Sequence, residues 1–301
     1  MRVFRGFFGK LEKTAVAIGN FDGMHLAHQK IVGDLIAESK KNKWQSTVLT
    51  FRPNPKEFFN PKAAPAPLMR LHEKLRFLQK MGVDNVVICP FNATFANQPA
   101  EVFIKTFKDF FNAQFVLVGD DFHFGKNRAG NAATLKNNGI NVFNIPAVFV
   151  GDERVSSSAI RGHLASANLN AAKKLLGRDF AISGRVQRGR ALGRTLGFAT
   201  ANLNLPFLTL PLQGVFAVQV KIENDCRILR GIANVGTRPS VDKTAMPLLE
   251  VHLLDFKENI YQKRLHVYFQ HFLRREKQFA NVDDLKTQIA KDARAARDFF
   301  D

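Results

Sequence analysis

Cysteine is scarce. Cys89 and Cys226 are the only two, far apart and in no CxxC arrangement, which argues against a disulfide framework or a zinc ribbon and fits a reducing compartment. Neither needs a chemical role. No apolar run approaches the roughly 20 residues of a membrane span. The segment Met1 to Lys13, basic and rich in Phe, lacks the continuous apolar core of a signal peptide. A cytoplasmic protein with no membrane partner is therefore expected. Tyrosine and tryptophan are nearly absent, with 2 Tyr and 1 Trp against 29 Phe. Phe has no polar handle, so most of these rings are expected in cores rather than as base-stacking platforms. Internal repeats, low-complexity linkers, the Rossmann GxGxxG and the Walker GxxxxGK[ST] are all missing, so any nucleotide must be held by another device.

Acidic residues are the minority charge: 26 Asp and Glu stand against 44 Lys and Arg, for a net +18. A chain this basic meets polyanions, whether nucleic acid, anionic lipid or phosphorylated small molecules, and charge alone does not choose among them. The 301 residues, with 46% hydrophobic and 23% charged, are ordinary for folded protein and suggest two domains.

The first half alternates apolar runs with helical patterns. Thr14 to Gly19, Ser46 to Phe51, Asn85 to Cys89 and Phe115 to Gly119 read as strands covered on both faces. Helical spacing follows around His25 to Lys40, Leu71 to Met81 and Pro99 to Asn112. Such alternation implies a parallel sheet with right-handed crossovers and ligands at the carboxyl ends of its strands. Beyond about Gly177, short runs at Gly214 to Lys221, Gly231 to Val235 and Leu248 to Leu254 follow turn signals, as in a mainly antiparallel β domain. Val282 to Phe300 returns to helical periodicity without Gly or Pro, as a closing helix would.

The first strand runs into Gly19-Asn20-Phe21-Asp22-Gly23-Met24-His25-Leu26-Ala27-His28. A glycine-bracketed turn at a helix start presents free N–H groups to an anion. His25 and His28, three apart, share a face there and can donate to charge developing at phosphorus. A surface pair or a metal site are the alternatives. Gly119-Asp120-Asp121 ends a strand, so its carboxylates face a ligand or cap the next turn. Ser156 to Ser158 ahead of Arg161 could be an ordinary helix cap.

These residues resemble the HxGH nucleotidyltransferases in the form found in bacterial bifunctional riboflavin kinase/FMN adenylyltransferases (FAD synthetases). The resemblance is carried by GNFDGMHLAHQ, then TFRPNP (50–55), RLHEK (70–74), GDDFHFGK (119–126) and VSSSAIR (155–161). It implies adenylyl transfer assisted by His25 and His28, with Gly19, Asn20, Phe21, Asp22 and Gly23 in the binding turn. It further implies ATP phosphates on Ser157 and Arg161, and a flavin and metal site at Asp120, Asp121 and Phe122. Three departures stand out: Ala27 replaces the glycine between the histidines, Asn54 a His, and Ser158 a Thr.

In the second half, Gly184 to Gly197 holds four Gly and four Arg, Gly184, Gly189, Arg194 and Gly197 among them. Such density suits a loop closing over phosphates, but also a solvated basic loop or an RNA-binding arm. Phe198 to Asn202 then resembles the PTAN motif of riboflavin kinases, with Ala199 for its Pro. By that resemblance Thr200 and Asn202 hold Mg²⁺ and ATP. GVFAV (214–218, with Phe216 for Tyr), ANVGTRPS (233–240) and EVHLLDF (250–256) continue the likeness. The last makes Glu250, at a strand start, the base for riboflavin's ribityl hydroxyl. LRREKQF (273–279) resembles the flavin-contacting segment and points to Arg274, Glu276 and Phe279.

The resemblance implies a Rossmann-like nucleotidyltransferase domain over residues 1–177 and an antiparallel β-barrel riboflavin kinase domain over 178–301. Its substrates would be ATP, riboflavin and FMN, with Mg²⁺ arriving on ATP, no nucleic acid and no obligate protein partner. The alternatives are a basic nucleic-acid-binding protein, which lacks a recognised module, and a family member with one activity.

Overall fold

The computed structural model describes residues 1–187, 200–205, 209–239 and 245–301. The chain divides into two compact units, residues 1–65 with 69–157 and residues 66–68 with 158–301.

In the first unit the strands are β1 (Arg2–Arg5), β2 (Thr14–Ile18), β3 (Gln45–Arg52), β4 (Asn85–Pro90), β5 (Ala113–Gly119), the short pair β6 (His123–Phe124) and β7 (Gly130–Asn131), β8 (Val142–Ile145), and a second short pair, β9 (Phe149–Val150) and β10 (Glu153–Arg154). Six of them form a parallel sheet in the order β1-β4-β3-β2-β5-β8. Helices α1 (Leu26–Asn42), α2 (Pro55–Phe59), α3 (Leu71–Met81), α4 (Ala93–Ala96), α5 (Ala100–Asp109) and α6 (Ala132–Asn137) connect them.

Both faces of this sheet are covered, which is why its central strands read as unbroken apolar runs. Along β2, Val16 and Ile18 join Phe103 and Phe107 of α5 in one core. Ala15 and Ala17 join Val32 and Leu35 of α1 and Leu78 of α3 in the other. Strand β1 departs from the sequence expectation. It is four residues long and mostly exposed, so it carries no apolar run. Its pairing with β4 is supported by Arg2, which donates to Asn85 Oδ1 (3.1 Å) and Gln45 Oε1 (2.8 Å).

The second unit holds helix α7 (Ser157–Ala165), all but its first residue, and α8 (Leu169–Leu176). Its strands are β11 (Ala181–Gln187), β12 (Thr200–Asn204), β13 (Gly214–Ile222), β14 (Leu229–Pro239), β15 (Ala245–Leu253) and β16 (Arg264–Arg274). They close an antiparallel barrel in the order β11-β12-β15-β14-β13-β16. The closing helix spans Val282–Phe300, the predicted range. Asn281 caps it, its side chain accepting from the Asp284 N–H at 2.8 Å, and Asp283 and Asp284 suit the positive helix start. Its Ala293 and Ala296 pack on Val215, Ala217 and Ile232. Phe216, where the family pattern has Tyr, is fully buried edge-on to Phe269, a site with no call for a hydroxyl.

Two local expectations change. Residues 184–187 of the Gly/Arg segment belong to β11 rather than to a loop. Strand β15 begins at Ala245, before Pro247, so Glu250 lies in its middle and not at its start. Among the described residues β12 pairs with β15 only from Glu250 to His252. Pro247 therefore keeps one edge where its missing N–H costs no ladder bond.

Candidate functional sites

The turn after β2 is built on two buried anchors. Phe21 and Met24 take left-handed backbone (φ +48° and +41°) beside Gly23 (φ +81°), which for a side-chain-bearing residue costs about 1–2 kcal/mol. Both side chains are fully buried in the core below, and burial on the order of 1.5–3 kcal/mol each offsets that strain. The turn ends at His25, the N-cap of α1, whose Nδ1 accepts from the His28 N–H at 3.4 Å. The two imidazoles stack with centroids 3.6 Å apart and 15° between planes, and Phe21 meets His28 edge-on at 5.2 Å. Two rings thus stand at the positive end of a 17-residue helix, where an anion is favoured.

Ser157 joins this turn, its hydroxyl donating to the Asp22 carbonyl at 2.9 Å. Arg161 lies one helical turn beyond Ser157, and its Nε donates to the Ala66 carbonyl at 2.6 Å. Ala27 is the second residue of α1, where Ala is a better helix former than Gly by about 1 kcal/mol. Asn54 caps α2, accepting from Lys56 N–H at 3.0 Å while Glu57 accepts from the Asn54 N–H at 3.4 Å. In this chain that position has a structural task of its own.

Strand order reverses beside β2, with β3 on one side and β5 on the other, and a crevice opens at such a point outside the strand ends. A cavity of about 1010 Å³ there is lined by Gly19, Asn20, Asp121 and Phe122, and by Phe51, Phe58, Phe59, Phe91 and Phe95. Asp120 is exposed and not part of that lining. The side-chain oxygen of Asn20 is buried with no hydrogen-bond partner among the described residues. Of these rings the sequence reading had singled out Phe122 but missed Phe51, Phe58, Phe59, Phe91 and Phe95 as a site. Phe58, Phe59, Phe91 and Phe95 lie in Asn- and Pro-containing segments outside the strand runs, whereas Phe51 ends one, and Phe59 is 69% exposed. Lys126 and Arg128 add positive charge to the same cavity.

In the barrel, register brings together residues from three strands. Asn202 of β12 pairs with Glu250 of β15, and Glu250 pairs with Asn234 of β14. Their neighbours Ala201, Leu203, Leu249, Val251, Ala233 and Val235 are buried, so the polar row occupies the opposite, outer face. Thr200, two residues before Asn202, shares it. Asn234 was not singled out from the sequence. Its amide donates to the Glu276 carboxylate, which desolvation pushes up, opposed by Arg274 and by this hydrogen bond. A Cβ on Gly236 would overlap that carboxylate, the far end of a flexible side chain, which would have to shift. Arg274 holds Asp292 of the closing helix through Nε and Nη2 (2.8–3.1 Å) and lies over the Phe279 ring at 5.8 Å. Gly184 sits inside β11, where a Cβ would be 3.0 Å from the Asn204 carbonyl. That close strand contact explains the glycine without a ligand. Gly189, Arg194 and Gly197 lie outside the described residues.

Among the described residues no group of three or more His, Cys, Asp or Glu could hold a metal. A protein-caged ion does not fit. The oxygen donors Thr200 and Asn202 do fit a hard cation shared with phosphates, the usual manner for Mg²⁺. Cys89 is buried, and burial pushes its thiol up to about 12, so it is inert as a nucleophile. No helix among the described residues is long and apolar enough to cross a membrane.

Comparison with known proteins agrees over the whole chain. The family model described as FAD synthetase matches residues 8–159, and that described as riboflavin kinase matches residues 176–300. A bifunctional riboflavin kinase/FMN adenylyltransferase of Haemophilus influenzae is 42% identical over 100% of this chain and 99% of its own. That of Escherichia coli K12 is 42% identical over 96% of this chain and 93% of its own. A crystal structure bearing the name macrolide-efflux protein, from Streptococcus pneumoniae, has a TM-score of 0.81 at 28% identity, covering 99% of each chain. The two matched segments, the parallel sheet followed by the closed barrel, and the full-length relatives lead to one assignment: the chain belongs to the bifunctional riboflavin kinase/FMN adenylyltransferase family.

Proposed function

We propose the following division of chemistry. The kinase domain, residues 178–301, transfers the γ-phosphoryl group of ATP to the ribityl hydroxyl of riboflavin, giving FMN and ADP. The adenylyltransferase domain, residues 1–177, joins the FMN phosphate to the AMP portion of a second ATP and releases pyrophosphate. Both ATP molecules arrive with Mg²⁺, whose chemistry is to neutralise charge on the phosphate oxygens.

The observation that carries the adenylyltransferase half is the meeting of the Gly19–His25 turn with an aromatic cavity. A planar isoalloxazine ring suits walls of Phe58, Phe91, Phe95 and Phe122, and Lys126 and Arg128 attract the FMN phosphate. The volume is that of an ordinary small-molecule site. ATP phosphates gather at the turn, where His28 and His25 donate to the charge that develops on the α-phosphate as the FMN oxygen attacks. Ser157 and Arg161 bind the phosphates, and Asp121 lies where flavin and metal would meet.

In the kinase half Glu250 accepts the proton of the ribityl hydroxyl. Thr200 and Asn202 hold the ATP-borne Mg²⁺, and Glu276 with Arg274 and Phe279 contacts the flavin. The reading includes a cytoplasmic location, supported by two cysteines that remain free thiols.

Incubating the purified chain with riboflavin, ATP and Mg²⁺ and separating the flavins by chromatography tests the whole reading. FAD is the expected product. FMN alone would leave one activity, and neither flavin product would return the basic nucleic-acid-binding alternative. Asn202→Ala is expected to abolish FMN formation from riboflavin while supplied FMN is still converted to FAD. Equal loss of both activities would contradict two separate sites. Gly236→Ala is expected to displace Glu276 and raise the dissociation constant for riboflavin about tenfold, the scale of one hydrogen bond to a charged group. Fluorescence titration with riboflavin reads this directly, and an unchanged constant would detach Glu276 from flavin binding.

A further inference from the structure

Lys74, in the first turn of α3, is 8% exposed, and no role above uses it. Its ammonium donates to the Asn20 backbone carbonyl and to Thr50 Oγ1, the latter at 3.4 Å. The Thr50 hydroxyl donates to that same carbonyl at 3.3 Å. One oxygen of the phosphate-gathering turn is thus tied both to α3 and to the carboxyl end of β3. Both partners of the ammonium are neutral. From the turn, Asp22 is the charged group that acts on it; β3 presents only the uncharged Thr50. A buried cation among neutral oxygens is disfavoured unless the site gains from its charge. Burial lowers Lys74 to about 8, with Asp22 opposing the fall. Its clamp acts on the main chain of Asn20, the residue whose buried side-chain oxygen has no partner among the described residues and which lines the cavity.

We propose that Lys74 is a positioning residue for adenylyl transfer: by clamping the Asn20 carbonyl it sets the course of the turn from Asn20 to His25, and its positive charge strengthens the hold of that turn on polyphosphate. The inference rests on the adenylyltransferase reading of the first unit. It separates from a purely structural role through its charge. A lysine that titrates near pH 8 is protonated below that pH and neutral above it, so its contribution to the reaction is full at pH 7 and lost as pH rises through about 8.

The test uses the full chain with FMN, ATP and Mg²⁺, and follows FAD formation from pH 6 to 9.5 in wild type, Lys74→Met and Lys74→Arg. Wild-type turnover is expected to fall as pH passes about 8. Lys74→Met, similar in length but uncharged, is expected to turn over about 10²-fold more slowly at pH 7, the scale of a 1 Å misplacement at a reacting centre. It should bind FMN within threefold of wild type and lack the fall near pH 8. Lys74→Arg keeps its charge throughout and should also lack that fall. Met-variant turnover within threefold of wild type, or a fall near pH 8 that persists in the Arg variant, would overturn the role of Lys74 alone. Absence of FAD from wild type supplied with FMN would overturn the adenylyltransferase reading, and this inference with it.

Discussion

Replacing His28 by Ala is expected to leave riboflavin phosphorylation intact and to slow FMN adenylylation about 10²–10³-fold, the usual effect of removing one positioned donor to transition-state charge. The helix cap survives this substitution. What caps α1 is His25 Nδ1, accepting from the His28 backbone N–H, and alanine keeps that N–H. The turn is anchored by Phe21 and Met24, neither of which is altered. The substitution removes the His28 ring, and with it the stacking on His25 and the edge contact with Phe21. The measurement is the rate of FAD formation from FMN, with FMN formation from riboflavin as control in the same sample. FAD output equal to wild type would refute the assignment.

Glu250→Gln is the second large effect. A ribityl hydroxyl is a poor nucleophile at neutral pH, so phosphoryl transfer gains from a carboxylate placed to accept its proton, and such general bases contribute about 10²–10⁴-fold. Glu250 stands mid-strand between Asn202 and Asn234 in the barrel register. Gln preserves shape and strand pairing and removes basicity. The initial rate of FMN formation should fall by that order while riboflavin affinity changes little. Conversion of supplied FMN to FAD should be untouched. A fall below threefold with FAD formation intact would mean that Glu250 is not the base.

The two substitutions were legible to different degrees before any coordinates. His25 and His28 are three apart in one segment, so helical spacing alone places them together. Glu250 as a lone residue in a strand carries no such signal; its assignment came from likeness to a motif, and its position at a strand start had to be corrected to mid-strand. The strand extends back past Pro247 to Ala245, and the short pairing of β12 shows how the ladder tolerates a proline there. The aromatic cavity was hidden by the same logic that found the cores: Phe is usually buried, and the placing of four of these rings outside the strand runs does not say that they gather round one cleft.

By itself, the sequence determined the alternation of strand and helix, the antiparallel second half, the extent of the closing helix and the glycine-bracketed turn at the start of α1. Each of these depends on neighbours two to four residues away, which share a face of one strand or helix. Tertiary structure alone decided that Lys74 reaches a carbonyl 54 positions before it, that Asn234 stands beside Glu250, that Gly236 leaves space for Glu276, and that β1 completes the sheet edge. Those juxtapositions are set by crossover handedness, strand register and barrel closure, which act between residues far apart in the chain and leave no periodic trace in either segment alone.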